Sequence, residues 1–172
     1  MKFNQIQYED RFYLPEWISE RVTAIQKNGF PIFRTGYWSE LREINNNINR
    51  SIKSKYPIIY LPLNFKYNYN NDTPFFTVPF EIYIITKSER DYDFDTRLDS
   101  IIKTILEPIY TDFLTEIKYD KWVKNENNTI ISHEKKYISY DKGQAENQNQ
   151  LNEVVEAIYL IFNLEFNNLE NL

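Results

Sequence analysis

The spacing of apolar residues predicts two amphipathic helices in the first third of the chain. Pro15 suits the first turn of a helix, where its missing N–H would have no partner, and Ile18, Val22 and Ile25 then recur on one face. Gly29 is expected to end this helix. A second helix is predicted further along, where apolar residues spaced by three or four form a face: Leu41, Ile44, Ile48 and Ile52.

Two apolar segments in the middle of the chain predict an antiparallel β-hairpin. Residues 56–65 are rich in β-branched and aromatic residues, but two prolines there cannot donate ladder hydrogen bonds, which favours a strand near a sheet edge. Residues 75–86 form the second strand, because apolar residues alternate along it. The polar residues 66–74 between them are a turn that is longer than a tight hairpin loop and can reach beyond the domain.

The strongest helical pattern begins near Asp95 and Thr96, either of which can cap the first turn. Pro108 interrupts the pattern, yet the same spacing resumes after it. The segment is therefore interpreted as one helix that is kinked or restarted at this proline. The apolar face of this helix is expected to be buried against the sheet: Ile101, Ile105, Ile109 and Phe113.

The last third of the chain combines a polar segment with a final strand. Residues 120–153 are expected to form a polar excursion with a short strand at residues 136–140, and residues 154–166 alternate as a strand returning to the sheet. No internal repeat or linker is evident. The chain is interpreted as a single α+β domain, residues 1–172, with an antiparallel sheet packed on one face by helices, a kinked central helix and extended loops.

Composition narrows the class of protein without identifying it. With 172 residues, 42% hydrophobic, 26% charged and a net charge of -5, the chain is typical of a soluble globular domain rather than a disordered segment. Its apolar runs are too short for a membrane span, and its N-terminal segment lacks the apolar core of a signal peptide. A pI near 5.0 disfavours a DNA-gripping role, because such proteins neutralise phosphates with basic residues.

Candidate chemistry is sparse, because the chain has no cysteine and one histidine, His133, which is expected on an exposed loop or strand. Four acidic residues are of the type that ligates Ca²⁺ or Mg²⁺ through oxygen: Asp91, Asp93, Asp95 and Asp99. They do not fit a calcium loop, since Thr96 and Ile102 stand where glycine and glutamate are needed. These acids are interpreted as a solvated loop that complements the positive N-terminal end of the following helix.

A divalent-metal nuclease needs few groups, and one could be assembled from Glu81, the acids of residues 91–95 and a lysine. Nothing in the sequence brings these groups into one cleft, and there is no glycine-rich loop to hold phosphate. We therefore expect a protein that is not an enzyme, with no catalytic residue, no cofactor and no metal.

Aromatic residues make up 17% of the chain, and several alternate with polar residues around the hairpin turn. Platforms that stack nucleic-acid bases also have a basic groove, so a core or a subunit interface is the favoured interpretation. The residues expected to anchor contacts with other subunits are Tyr67, Tyr69 and Trp122. Residues 66–74 and 120–150 are accordingly expected to serve as assembly contacts rather than as parts of the domain's own core.

Three segments together resemble a known family: residues 56–61 (YPIIYL), 80–86 (FEIYIIT) and 97–117 (RLDSIIKTILEPIYTDFLTEI). They are similar to the tail-completion, or tail-terminator, proteins and related neck proteins of tailed bacteriophages, particularly those of crAss-like phages. The resemblance covers residues 15–119 and 154–166, and the polar excursion departs from the shorter family pattern. It is a pattern of hydrophobic segments without a catalytic signature.

This resemblance implies a virion structural protein at the head-to-tail junction. Identical subunits would form a closed ring beside the portal, and DNA would pass through the lumen without sequence-specific binding. The partners would be other copies and neighbouring neck, portal or tail proteins, with no membrane, and the protein would reach the virion after assembly in the host cytoplasm. Two alternatives stay open: a small adaptor or protein-binding module, and the divalent-metal nuclease.

Overall fold

The computed structural model describes residues 12–37, 56–69, 72–89, 91–124, 131–140 and 154–167. In chain order the elements are helix α1 (Leu14–Ile25), strands β1 (Ile32–Gly36), β2 (Ile58–Pro62), β3 (Asn68–Tyr69) and β4 (Phe75–Lys87), helix α2, and strands β5 (His133–Tyr140) and β6 (Val155–Asn167). Helix α2 is continuous over three parts: Phe94–Arg97, Leu98–Leu106 and Glu107–Lys118. This combination of sheet and helices confirms the α+β class. The second predicted helix lies outside the described residues.

The strands form one mixed sheet in the order β1-β2-β4-β6-β5, with β3 paired to the start of β4. At its centre, β4 and β6 are antiparallel along their whole lengths. Strands β2 and β4 form the predicted antiparallel pair, and β2 lies one place in from an edge strand. The expectation of a fully antiparallel sheet was wrong, because β1 pairs with β2 in parallel, and the long connection between these strands permits that direction.

Helices α1 and α2 pack on one face of the sheet and enclose the main core. Helix α1 contributes its predicted face, with Ile18 and Val22 fully buried. Burial of this kind is the main stabilising contribution, at about 25 cal/mol per Å² of apolar surface. The opposite face of the sheet carries a second buried cluster: Ile58, Tyr60, Tyr83, Ile85, Val155 and Ala157.

Helix α2 continues through Pro108 rather than restarting there. Its Leu98–Leu106 part is π-helical, and the N–H of Glu107 donates to the carbonyl of Ile102, five residues back. Pro108 then occupies the first turn of the α-helical part that follows, where a missing N–H is tolerated.

The π-helical part changes which side chains of α2 face the sheet. Leu106 is fully buried, whereas Ile105 and Ile109, which an uninterrupted α-helix would turn inward, are half-buried. Ile101 and Phe113 are buried as predicted. The predicted stripe is thus correct at its two ends and wrong at its two central positions, because a π-helix has more residues per turn than an α-helix.

The segment predicted as a polar excursion contributes to the body of the domain. Asp120, Val123 and Ile131 are buried, and the N–H of Lys124 donates to the carbonyl of Glu165 in β6 at 2.9 Å. Strand β5 is longer than the predicted short strand and pairs with β6 throughout its length. The expectation that this segment stays outside the core is therefore wrong for its described parts.

Candidate interaction site

The three aromatic residues expected to anchor an interface come together at one end of the sheet. Phe12, just before α1, links two of them: its ring centroid lies 6.3 Å from that of Tyr67 and 5.6 Å from that of Trp122. Tyr69 stacks on Tyr67 with 6.3 Å between centroids. Because Phe12 also lies 4.4 Å from Phe166 in the core, the aromatic cluster runs from the core to the surface.

Two of these three residues also serve the domain's own packing. Tyr67 and Trp122 are half-buried against the main core, whereas Tyr69 is 65% exposed. The Tyr67 hydroxyl accepts a hydrogen bond from the N–H of Leu14 at 2.9 Å and so satisfies a donor that the start of α1 leaves unpaired. Burial raises the pKa of Tyr67. The turn between β2 and β4 is therefore partly integrated into the core.

Asp120 forms the polar floor of this end of the molecule. Its Oδ1 accepts hydrogen bonds from Trp17 Nε1 at 3.0 Å and from the Trp122 N–H at 2.8 Å, and its Oδ2 forms an ion pair with Arg21. The Asp120 side chain is only 2% exposed. Since a buried carboxylate needs such partners, Asp120 ties α1 to the turn that follows α2.

A groove of about 580 Å³, here the α1–α2 groove, opens above this floor between the start of α1 and the end of α2. Its rim carries two exposed tyrosines, Tyr13 at 51% and Tyr119 at 68%. Glu16 and Glu116 line it from the two helices, and neither forms a hydrogen bond or ion pair with another described residue. Further lining residues include Phe12, Trp17, Arg21, Asp120, Lys121 and Trp122.

A second cavity of about 430 Å³, here the Glu156 cavity, lies at the other end of α2, where this helix meets β5 and β6. Phe94 lines it and is 75% exposed. Glu156 is buried there, accepts a hydrogen bond from Ser139 Oγ at 3.0 Å and lies 3.4 Å from Arg97 Nη1. Burial raises the pKa of the Glu156 carboxyl, and the contacts with Ser139 and Arg97 offset part of that effect.

Between the two cavities, α2 and β5 meet through a polar seam formed by alternate residues of β5: His133, Lys135, Tyr137 and Ser139. Lys135 Nζ lies 2.6 and 2.9 Å from the two carboxylate oxygens of Glu107, and the Tyr137 hydroxyl donates to the same carboxylate. Burial alone would raise the pKa of Glu107, but the hydrogen bonds from Lys135 and Tyr137 outweigh it and hold that pKa below its usual value. The Glu107 pair thus joins the helix to the edge strand.

His133 is half-buried in β5, so the expectation of a strand is correct and that of an exposed side chain is wrong. Its Nδ1 lies 2.8 Å from the carbonyl oxygen of Ile131, which can only accept, so Nδ1 carries a proton. Its Nε2 lies 2.9 Å from the Tyr110 hydroxyl, and its ring stacks on Phe162. The histidine therefore connects α2, β5 and the core.

The acidic residues before and within α2 are used locally. Asp93 caps the helix, a role predicted for Asp95 or Thr96, and the hydrogen bonds it accepts from Thr96 lower its pKa. Asp99 pairs with Lys103 at 2.7 Å. Within the described ranges, no three histidine or carboxylate side chains lie close enough together to hold a metal ion.

Glu81 lies on the face of the sheet opposite α2, on the same side as Tyr83. Burial, together with the nearby Glu81 carboxylate, raises the pKa of Tyr159 to about 12. The acids of residues 91–95 lie just before α2 and in its first turn, on the other side of the sheet. The structure therefore separates the groups that were considered for a nuclease.

Sequence reasoning missed three residues whose polar contacts join α2, β5 and β6: Glu107, Lys135 and Glu156. A signal was present for Glu156, which is an acid between apolar residues at the start of a strongly apolar strand. Such an acid is expected to be buried with a partner.

Comparison with known proteins identified no relative: no family model matches the chain, and no curated protein sequence matches it. In the part of the chain that the structure describes, no helix is both long enough and apolar enough to cross a membrane. The two cavities and the polar seam are therefore the basis for inferring a function.

Proposed function

We propose that the protein is a non-enzymatic structural subunit of a closed ring in the neck of a tailed-phage virion, with a tail-completion or connector role. The observation that carries this proposal is a pair of different openings at opposite ends of α2. Tyr119 is exposed at the α1–α2 groove and Phe94 at the Glu156 cavity. The 25-residue helix keeps these ends about 35 Å apart.

Two separate patches suit head-to-tail contact between identical subunits. A closed ring uses two different patches on each copy, whereas a twofold dimer uses one patch twice. Exposed aromatic rings beside cavities favour protein contacts, because aromatic residues are enriched in interfaces. In the proposed ring, each copy uses these two ends of α2 for different contacts with its two neighbours.

The assignment to a phage neck comes from the resemblance of three sequence segments to tail-completion and neck proteins. A net charge of -5 is compatible with a lumen through which DNA slides without sequence-specific binding. The proposed partners are other copies of the chain and neighbouring neck, portal or tail proteins. The proposed location is the virion, after assembly in the host cytoplasm.

Light scattering of the purified protein tests the assembly, and electron microscopy tests its shape. We expect a closed particle of one size for the parent, and folded monomers for Phe94→Ser and Tyr119→Ser. Leu63→Ser is the matched control, since Leu63 is also an exposed apolar residue but lines neither opening. A protein that stays monomeric up to the highest attainable concentration contradicts the ring.

A small adaptor or protein-binding module is the second candidate, favoured by two groove carboxylates, Glu16 and Glu116, that have no polar partner among the described residues. Such a groove can receive a partner without any contact between copies. The same light-scattering measurement separates the two candidates, because an adaptor remains monomeric until its partner is added.

A further inference from the structure

The buried charges of the α1–α2 groove are already balanced. Arg21 forms its ion pair with Asp120 on the floor, and its other terminal nitrogen lies 3.0 Å from Glu20. The Arg21 side chain is 22% exposed and that of Asp120 2%, so this pair is largely removed from solvent. Arg21 therefore leaves little positive charge at the groove surface for an anionic ligand.

The charge that remains at the rim is negative. Four carboxylates line the groove against two basic side chains, and Lys118 lies beside its rim, which leaves an excess of one negative charge. Glu16 on α1 and Glu116 on α2 have no polar partner among the described residues. The carbonyl end of α2 lies at the same place and adds to the negative potential.

Aromatic rings make the rim suitable for an organic cation. Tyr13 and Tyr119 are exposed there, and the faces of such rings attract ammonium and guanidinium groups. Two lysines of the chain already lie over rings at this site: Lys121 Nζ is 5.8 Å from the Trp122 centroid, and Lys118 Nζ is 5.4 Å from that of Tyr119. The aromatic rings and the carboxylates therefore both favour binding of a positively charged organic group.

We infer that the α1–α2 groove receives a lysine or arginine side chain from a basic segment of a protein partner. The carboxylates bind the charge, and the rings pack against the apolar stem of the side chain. A neutral or acidic segment gains no such electrostatic attraction. This occupant deepens the proposed function, and its assignment rests on the groove's proposed role as a protein contact.

Fluorescence anisotropy of a labelled peptide tests this assignment. The probe is a short peptide of alternating glycine and lysine, and matched peptides carry glutamine or glutamate in place of lysine. We expect the lysine peptide to bind about tenfold more tightly than the glutamine peptide, and to weaken as salt screens the carboxylates. Equal affinity for the lysine and glutamine peptides, or no detectable binding of the lysine peptide, would overturn the assignment.

Variants of the rim locate the binding. Glu16→Gln and Glu116→Gln should each weaken the lysine peptide about threefold, and Tyr119→Leu by a similar factor of about three. These side chains form no hydrogen bonds with described residues, so the variants should fold, which circular dichroism checks. Glu134→Gln removes an exposed carboxylate of β5 and is the control that should not change affinity. Unchanged affinity in the Glu16→Gln, Glu116→Gln double variant would refute binding at this groove.

Ring assembly and peptide binding are measured separately, so their failures can be distinguished. Titrations use the parent and the Phe94→Ser variant, in which a neighbouring copy is not expected to occupy the groove. A ring whose Phe94→Ser subunit fails to bind the lysine peptide overturns the cation site alone. Peptide binding by a parent protein that never assembles supports the cation site and overturns the ring.

Discussion

Strands β5 and β6 lie side by side and face the same helix, yet they meet it with opposite chemistry. Beyond Glu156, β6 presents an apolar row to the helix in which each side chain is at most 5% exposed: Ile158, Leu160, Phe162, Leu164 and Phe166. Strand β5 presents a polar row whose members bond to α2, to β6 or to the preceding segment: His133, Lys135, Tyr137 and Ser139.

This difference teaches that the central strand and the edge strand are held by forces of different kinds. Apolar burial in β6 is insensitive to ionisation, and its loss leaves a cavity. The polar seam of β5 depends on both partners of each pair and on their charge, so its contribution is smaller and varies with pH and salt. Charged side chains on β5 also discourage unwanted strand pairing at a sheet edge.

Phe162→Ala is expected to have the largest effect, because its ring is fully buried and stacks on Phe80 at 5.0 Å. We expect the free energy of unfolding in urea to fall by about 3–5 kcal/mol. Tyr137→Ala is the matched change in the polar seam and should cost clearly less, since Tyr137 is 53% exposed. Equal losses in the two variants would show that the strands are not held differently.

Leu106→Ala tests which side of α2 faces the main core. Because Leu106 is fully buried, its truncation should lower the free energy of unfolding by about 2–5 kcal/mol. Ile105→Ala should cost less, because Ile105 is half-buried beside it. Thermal and urea denaturation measure which variant loses more stability. A larger loss in Ile105→Ala than in Leu106→Ala would contradict the π-helical register.

Glu107→Gln removes the charge that holds α2 to the polar seam and should lower the free energy of unfolding near neutral pH by about 1 kcal/mol. The pKa of Glu107 is lowered in the folded state, so the stabilisation is present above the ordinary glutamate value of 4.5 and is lost as pH falls through the lowered pKa. Urea denaturation across pH should therefore show parent and variant converging in acid. Glu134→Gln, on the outer face of β5, is the control expected to be near neutral.

Glu156→Gln should show the smallest effect and the opposite pH dependence. Burial raises the pKa of Glu156, so its stabilising protonated form is complete below the ordinary value of 4.5 and is lost as pH rises through the raised pKa. Between acid and neutral pH, the parent should therefore lose stability relative to the Glu156→Gln variant. Relative to the Glu107→Gln variant, the parent should gain stability over the same pH range. If the stability difference between parent and variant changed with pH in the same direction in both comparisons, the environments assigned to Glu107 and Glu156 would be contradicted.

The sequence by itself determined the elements that have a regular apolar pattern. Apolar residues recur every three or four positions in α1 and every second position in β4 and β6, so the predicted segments 75–86 and 154–166 end within one residue of the observed strands. Aromatic composition also identified Tyr67, Tyr69 and Trp122, which the fold brings into one cluster. Periodicity succeeds here because one apolar face needs no particular partner.

Only the tertiary structure determined which strands pair with each other and which side chains contact the buried polar groups. Strand β1 has only Ile32 and Phe33 as apolar residues, and its parallel direction depends on the presence of β2. Trp17 and Asp120, which shape the floor of the groove, are 103 residues apart in the chain. Periodicity reports which side of an element is apolar, but it does not report what lies opposite. For a buried polar side chain such as Glu156, the residue opposite determines whether burial is tolerated, and only folding supplies that residue.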